Sequence, residues 1–196
     1  MMLFTFKSTC SQAAGLRHGS GFTLIELLMT ITVASILLAI GVPSFRYVTW
    51  ANRASGEING LLGDLQLARG EAIREGQTVT VCASTDGATC SNSVNWETGW
   101  IVFSDGPPLG AINGNDALLK VQRTFLPSAD TLTANHAVTL VTFSREGFAQ
   151  GLPSAVTFTL HTAPVNAQYT RCLSATIVGA LSTQIGGNLT AENNPC

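Results

Sequence analysis

Charge is scarce in this chain. Only 11% of its 196 residues are Asp, Glu, Lys or Arg. No Lys or Arg lies between Arg17 and Arg46, Glu26 is the only charge in that interval, and residues 1–20 contain no acid. Motifs that carry chemistry are missing too. There is no Walker loop, no G-x-S-x-G and no H-E-x-x-H, so nucleotide binding, serine hydrolysis and zinc proteolysis have no sequence support. His136 and His161 sit in or beside strand-like segments with no nucleophile arranged around them. Asp105, Asp116 and Glu146 form no paired-carboxylate pattern, and no repeat or low-complexity tract is evident. The expectation is a protein that is not an enzyme and needs no metal or cofactor.

What is present is a long apolar run. Gly21-Phe22-Thr23-Leu24-Ile25-Glu26 leads into an uncharged stretch ending at Val42, followed by Pro43 and Arg46. A helix over Phe22–Val42 would be roughly 30 Å long, enough for a hydrocarbon core. Lys7, Arg17 and His18 precede it, which keeps the N-terminus cytoplasmic and places everything from Pro43 onward outside the inner membrane. A secretory signal peptide is cut after its apolar run, and Gly-Val-Pro-Ser-Phe offers no such site after Val42. An uncleaved single-pass anchor is the alternative, but it leaves the Gly-Phe-Thr-Leu-Ile-Glu string unexplained.

That string resembles the type IV prepilin signal shared by pilins and the pseudopilins of type II secretion. The resemblance implies a leader, residues 1–21, cut by prepilin peptidase between Gly21 and Phe22, with the new amino group of Phe22 methylated. Two further segments resemble the GspH/FimT group of minor pseudopilins and minor pilins. They are Trp96-Glu97-Thr98-Gly99-Trp100-Ile101-Val102-Phe103 and Phe143-Ser144-Arg145-Glu146-Gly147. The implied fold is α+β and type IV pilin-like: a long N-terminal helix, transmembrane in its first half, packed on a small antiparallel β-sheet head. The implied residence is the bacterial inner membrane, with the head periplasmic and the subunit assembled into a pilus or pseudopilus.

Glu26 is the residue on which assembly turns in this reading. A carboxylate in lipid costs about 2.5–3.5 kcal/mol on insertion scales. In a staggered filament it can neutralise the Phe22 amine of a neighbouring subunit, and low dielectric makes that attraction selective for register. A protonated Glu26 lining a helix contact is the competing possibility.

Five cysteines suit an exported head. Cys10 would leave with the leader, and Cys82, Cys90, Cys172 and Cys196 remain. Four cysteines allow three pairings. Cys82–Cys90 closes a short turn-like loop, and Cys172–Cys196 would pin the polar tail from Gly186 to a strand. A zinc site is the alternative, but the spacing lacks the usual ligand pattern.

The helix is expected over residues 22–75 and the β-rich head over 76–196. Val48, Ser55, Ile58, Leu62, Leu65, Ala68 and Ala72 recur at helical spacing as its packing face, while Arg46, Arg53, Glu57, Asp64, Glu71 and Arg74 fall on other faces. Gly76 suits a C-terminal cap, and Pro43, Gly56, Gly60 and Gly63 are expected points of kinking or local melting. Beyond it, a period of two predicts strands at 78–82, 100–103, 119–123, 138–143, 156–160 and 169–178. Trp96 and Trp100 would then share one strand face in the core. Lys120 and Arg123 would point to opposite faces, and Arg145 and Glu146 would occupy a solvated turn. Asn188-Leu189-Thr190 is a sequon treated as chance.

Two functions fit this pattern. One is a structural minor subunit that initiates or caps a type IV pilus or a type II secretion pseudopilus, with other minor subunits, prepilin peptidase and membrane lipid as partners. The other is a DNA-binding minor pilin for DNA uptake. DNA-binding relatives resemble one another in a G-R-x-R string near the C-terminus, whereas this chain has Gly179-Ala180-Leu181-Ser182. Without Lys7 and Arg17, eight of the ten Lys/Arg remain against all twelve Asp/Glu, a formal −4. That balance argues against nucleic acid as a partner.

Overall fold

The computed structural model describes residues 21–114, 116–124, 130–163, 165–186 and 196. Lys7, Cys10, Arg17 and His18 of the leader, and the sequon at Asn188, lie outside them. The chain divides into two compact units, Met1–Pro43 and Ser44–Cys196.

Helix α1 spans Leu24–Glu75 and carries Pro43 inside it. The helix is continuous at the expected weak points, Pro43, Gly56, Gly60 and Gly63. In its first part every residue from 21 to 49 is exposed. The buried positions begin at Ala54 and continue through Ile58, Leu61, Asp64, Leu65, Ala68 and Ala72. This face is rotated slightly from the expected one. Leu61 and Asp64 are buried, Val48 is exposed and Leu62 is half-buried. At the end Gly76 takes a positive φ of 68° and its N–H returns to the Ala72 carbonyl at 3.0 Å, a C-terminal cap that favours glycine.

The head is antiparallel β-structure packed on the long helix, as expected, and its strands form two sheets. Its strands are β1 (Val79–Ala83), β2 (Gly99–Ser104), β3 (Leu118–Arg123), β4 (Thr131–Ala134), β5 (Leu140–Phe143), β6 (Ala149–Gln150), β7 (Val156–His161), β8 (Arg171–Ala175) and β9 (Leu181–Ile185). One sheet runs β3-β2-β1-β5-β6 and the other β4-β7-β8-β9. Residues from α1 and both sheets meet in one core, with Trp96, Phe143 and Phe158 among its largest side chains.

The five-stranded sheet is covered on both faces. Val79, Val81 and Val102 face the main core, whereas Cys82, Ile101 and Phe103 form a second cluster with Cys90, Ile112 and Leu140. Burial on both sides explains why Ile101-Val102-Phe103 reads as an unbroken apolar run rather than an alternation. In β7 the pattern does alternate, with Val156, Phe158 and Leu160 buried.

Several sequence expectations are corrected. Trp96 is not on a strand; it opens a 3-10 helix, Trp96–Thr98, and Gly99 at φ 112° turns the chain into β2. Both tryptophans are buried nonetheless. The segment 138–143 yields only a four-residue strand, because His136 and Ala137 adopt left-handed φ values of 54° just before it. The expected strand 169–178 is shorter, and β4, β6 and β9 were not expected. Short strands of polar or small residues, such as Leu181-Ser-Thr-Gln-Ile185, carry little period-two signal.

Candidate functional site: the exposed stem and the helix contacts within the head

At the start of α1 the backbone explains more of the signal string than the sequence reading did. The Thr23 hydroxyl accepts the Glu26 N–H at 3.2 Å, and the Thr23 carbonyl accepts the Leu27 N–H at 3.1 Å. Thr23 is therefore the N-cap, and Thr23-Leu24-Ile25-Glu26 has the sequence of a capping box. An acid in the first turn also complements the helix dipole. Glu26 thus has a local role in starting the helix, detectable in advance from the Thr-x-x-Glu spacing. Gly21 and Phe22 lie just ahead of this cap, exposed like the rest of the stem.

Further along, the hydroxyls inside the apolar run are satisfied within the helix. Thr30 donates to the Leu27 carbonyl, Thr32 to Met29 and Ser35 to Thr32, each at 2.8 Å. No hydroxyl there needs water, which an apolar environment demands. Leu24–Glu75 contains a window long and apolar enough to cross a membrane, by length and composition.

In the second unit the helix is held to the sheets by polar contacts as well as by packing. Asp64 is buried; its Oδ2 accepts the Trp100 indole N–H at 2.8 Å, and its Oδ1 pairs with the Lys120 ammonium. Arg53 forks onto Asp130, Nε to Oδ2 and Nη2 to Oδ1, both at 2.8 Å. Glu57, one turn along the helix from Arg53, is only within 4.0 Å of it. Its Oε2 is buried without a hydrogen-bond partner among the described residues. Burial first, then the negative charge of Asp130, pushes the Glu57 carboxyl up to about 7, and Arg53 offsets only part of this. Arg171 reaches the Ser55 hydroxyl at 3.1 Å and the Gln168 carbonyl at 2.8 Å.

Cys82 is bonded to Cys90 with Cα atoms 5.6 Å apart, and Cys172 to Cys196 at 6.0 Å. Inside the first loop Asp86 holds the turn. It accepts the Ala88 and Thr89 N–H groups, each at 2.8 Å, and the Thr89 hydroxyl at 2.7 Å. These bonds, the Ala88 N–H foremost, hold its carboxyl well below the usual range.

Asp105, Asp116 and His161 have structural partners, and His136 is exposed. Asp105 accepts the Gly110 N–H and the Thr80 hydroxyl, and Asp116 the Gly106 and Asn113 N–H groups at 2.9 and 2.8 Å. His161 is half-buried, 3.3 Å from the Thr170 hydroxyl, and burial pushes its pKa down. Among the described residues no group of three or more His, Cys, Asp or Glu could hold a metal.

Residues 57–179, more than half of the chain, match the family described as Type II transport protein GspH. The chain belongs to that family. Residues 16–42 also match the prokaryotic N-terminal methylation motif. For a GspH-family chain this motif implies processing by prepilin peptidase and assembly with other pilin-like subunits. The family is one of structural, non-enzymatic pilins and pseudopilins, and the apolar stem fits anchoring in the inner membrane.

The fold is similar to the crystal structure of the type IV minor pilin FimU of Pseudomonas aeruginosa (strain PAO1). The TM-score is 0.51 at 21% identity, covering 71% of this chain and 92% of that one. The minor pseudopilin EpsH from the Type 2 Secretion System of Vibrio cholerae gives a TM-score of 0.45 at 14% identity, over 68% of this chain and 97% of that one. No curated protein matches the chain by sequence.

Proposed function

We propose that this GspH-family chain is a structural minor subunit that initiates or caps a type IV pilus or a type II secretion pseudopilus. The observation that carries the reading is the stem. Every residue from 21 to 49 is exposed, and Glu26 is its only charge before Arg46. Such a surface is stable only in lipid or against other apolar helices. In this account prepilin peptidase cuts between Gly21 and Phe22, and the Phe22 amine is methylated. Only Phe22 and Thr23 then precede the helix, so each subunit presents a cation one turn from an acid. Stacked with an axial offset, the Glu26 carboxylate of one subunit meets the Phe22 amine of the next. The stem crosses the inner membrane with its N-terminus cytoplasmic, and the head is periplasmic.

Support for the DNA-uptake alternative is weaker. Of Arg123, Arg145 and Arg171, Arg171 is buried and hydrogen-bonded, and Arg145 is exposed but paired with Glu146 at 2.7 Å. Arg123 is exposed and lies on a strand of the other sheet from Arg171.

Intact-mass and N-terminal analysis of membrane-extracted protein tests the proposal. A chain beginning at methylated Phe22 is the expected result. Met1 or Met2 retained in assembled material would overturn it.

A further inference from the structure

The C-terminal end of α1 meets two hairpin turns of the head. The turns after β5 and after β8 touch there, where the Ala149 N–H donates to the Ile177 carbonyl at 3.0 Å. Gly147 and Gly179 take positive φ values of 83° and 76°. A Cβ on Gly179 would lie 2.2 Å from the Gly147 carbonyl oxygen, so the contact needs glycine. Arg69 of the helix lies against both turns. Its Nε donates to the Gly147 carbonyl at 3.0 Å, and a Cβ on either glycine would press on that nitrogen at 3.1 or 3.0 Å.

Around this contact four large apolar side chains stand out of the head. Ile73 is 53% exposed, Phe148 52%, Ile177 53% and Val178 54%. They come from three separate elements, so their exposure is not the accident of one loop, and grouped apolar exposure marks interaction surfaces. A cavity of about 450 Å³ opens beside Arg69, bordered by Gln66, Gly70, Ile73 and Leu181. The neighbouring charges are already matched: Arg74 with Glu71 and Glu75, and Arg145 with Glu146. Among the described residues no carboxylate forms an ion pair with Arg69. One unmatched guanidinium in an apolar setting is poorly suited to nucleic acid or anionic lipid, both of which need several cations together.

We propose that this surface receives an extended segment of a different subunit of the same filament, one that carries an apolar side chain with a carboxylate close to it. The apolar side chain fills the cavity beside Ile73, and the carboxylate takes the outer nitrogens of Arg69. The inference rests on the minor-subunit reading, and the following experiment separates the two.

The photo-crosslinking residue p-benzoylphenylalanine is placed in the full-length protein at Val178, and in a second sample at Leu37 of the stem. Both are irradiated in cells assembling the filament, and captured peptides are sequenced. Val178 is expected to capture another filament subunit at an apolar residue within a few positions of Asp or Glu. Arg69→Glu should lower that capture about tenfold, equivalent to about 1.4 kcal/mol, while capture at Leu37 stays unchanged. Phe148→Ser, which leaves the Arg69 contact intact, should lower it in the same direction with an unchanged melting temperature. Capture at Leu37 without capture at Val178 would overturn the docking surface alone. Capture at Val178 of lipid, nucleic acid or a second copy of this chain would also overturn it. Failure to capture any filament subunit at either position would overturn the minor-subunit reading together with it.

Discussion

The two halves of α1 solve opposite problems with one helix. From 21 to 49 nothing is buried, the hydroxyls are tied to the helix's own carbonyls, and Glu26 is the only charge before Arg46. From Ala54 to Ala72 one face is buried in the head, and two charges of this part of the helix, Arg53 and Asp64, are each engaged by a particular partner. The difference shows what each half must satisfy. The stem is generic toward its surroundings except at one carboxylate, whereas the second half is specific at every turn. Substitutions in the first half should therefore act on association, and those in the second on folding.

The largest effect is expected where the stem stops being generic. Glu26→Ala should leave insertion and cleavage intact but reduce co-purification with the other minor subunits by about tenfold, the scale of one lost ion-pair contact. Glu26→Gln separates charge from shape: recovery equal to that of Glu26→Ala would point to charge, and normal recovery to hydrogen bonding alone. Unchanged recovery with both variants would confine Glu26 to its role near the Thr23 cap.

Asp64→Ala tests the other half. It removes the acceptor of the Trp100 indole N–H and the ion-pair partner of Lys120, and should cost the head about 2–4 kcal/mol. Thermal melting of the full-length protein in detergent reads this, and membrane insertion should not change. Replacing Cys82 and Cys90 with serine should cost about 2–3 kcal/mol in the chain-entropy model, again read by melting.

Glu57→Gln is the smaller and opposite case. The Glu57 carboxyl titrates near 7 in the folded head against 4.5 in its ordinary state, so the folded head holds a proton that the unfolded chain has released. Its stabilising contribution is full below pH 4.5 and is lost as pH rises through 7. Glutamine removes that loss, so the variant should be more stable than the parent at pH 8 by about 1–2 kcal/mol. Its advantage should shrink toward pH 5. A parallel pH dependence in both proteins would refute the assignment. Smallest of all is the expected response to DNA: negligible duplex binding at about 0.15 M salt, where phosphate neutralisation needs clustered cations. Micromolar binding that weakens with Arg123→Ala would revive the uptake reading.

The stem was legible because uniform apolarity over one segment leaves little choice of environment. The long helix, six of the strand positions and the Gly76 cap followed from periodicity and turn residues. The buried acid was not legible. Asp64 reads as a surface residue on any helical wheel, and only its partners in β2 and β3, far along the chain, reverse that. The Arg53–Asp130 fork was hidden for the same reason, since Glu57 is the local partner that spacing offers. Trp96 and Trp100 were rightly placed in the core through the wrong geometry, because Trp96 lies in a 3-10 turn and Gly99 at φ 112° begins the strand only after it. Gly147 and Gly179 were visible only as turn residues. Their shared contact with Arg69 exists only when two hairpins fold together.

The Arg53 and Asp64 anchors have a mechanical consequence. They are eleven residues apart, about 16 Å along the helix at 1.5 Å per residue, and the buried face continues beyond them to Ala72. A load along the axis of this part of α1 would shear these contacts, several at once, instead of opening them one after another.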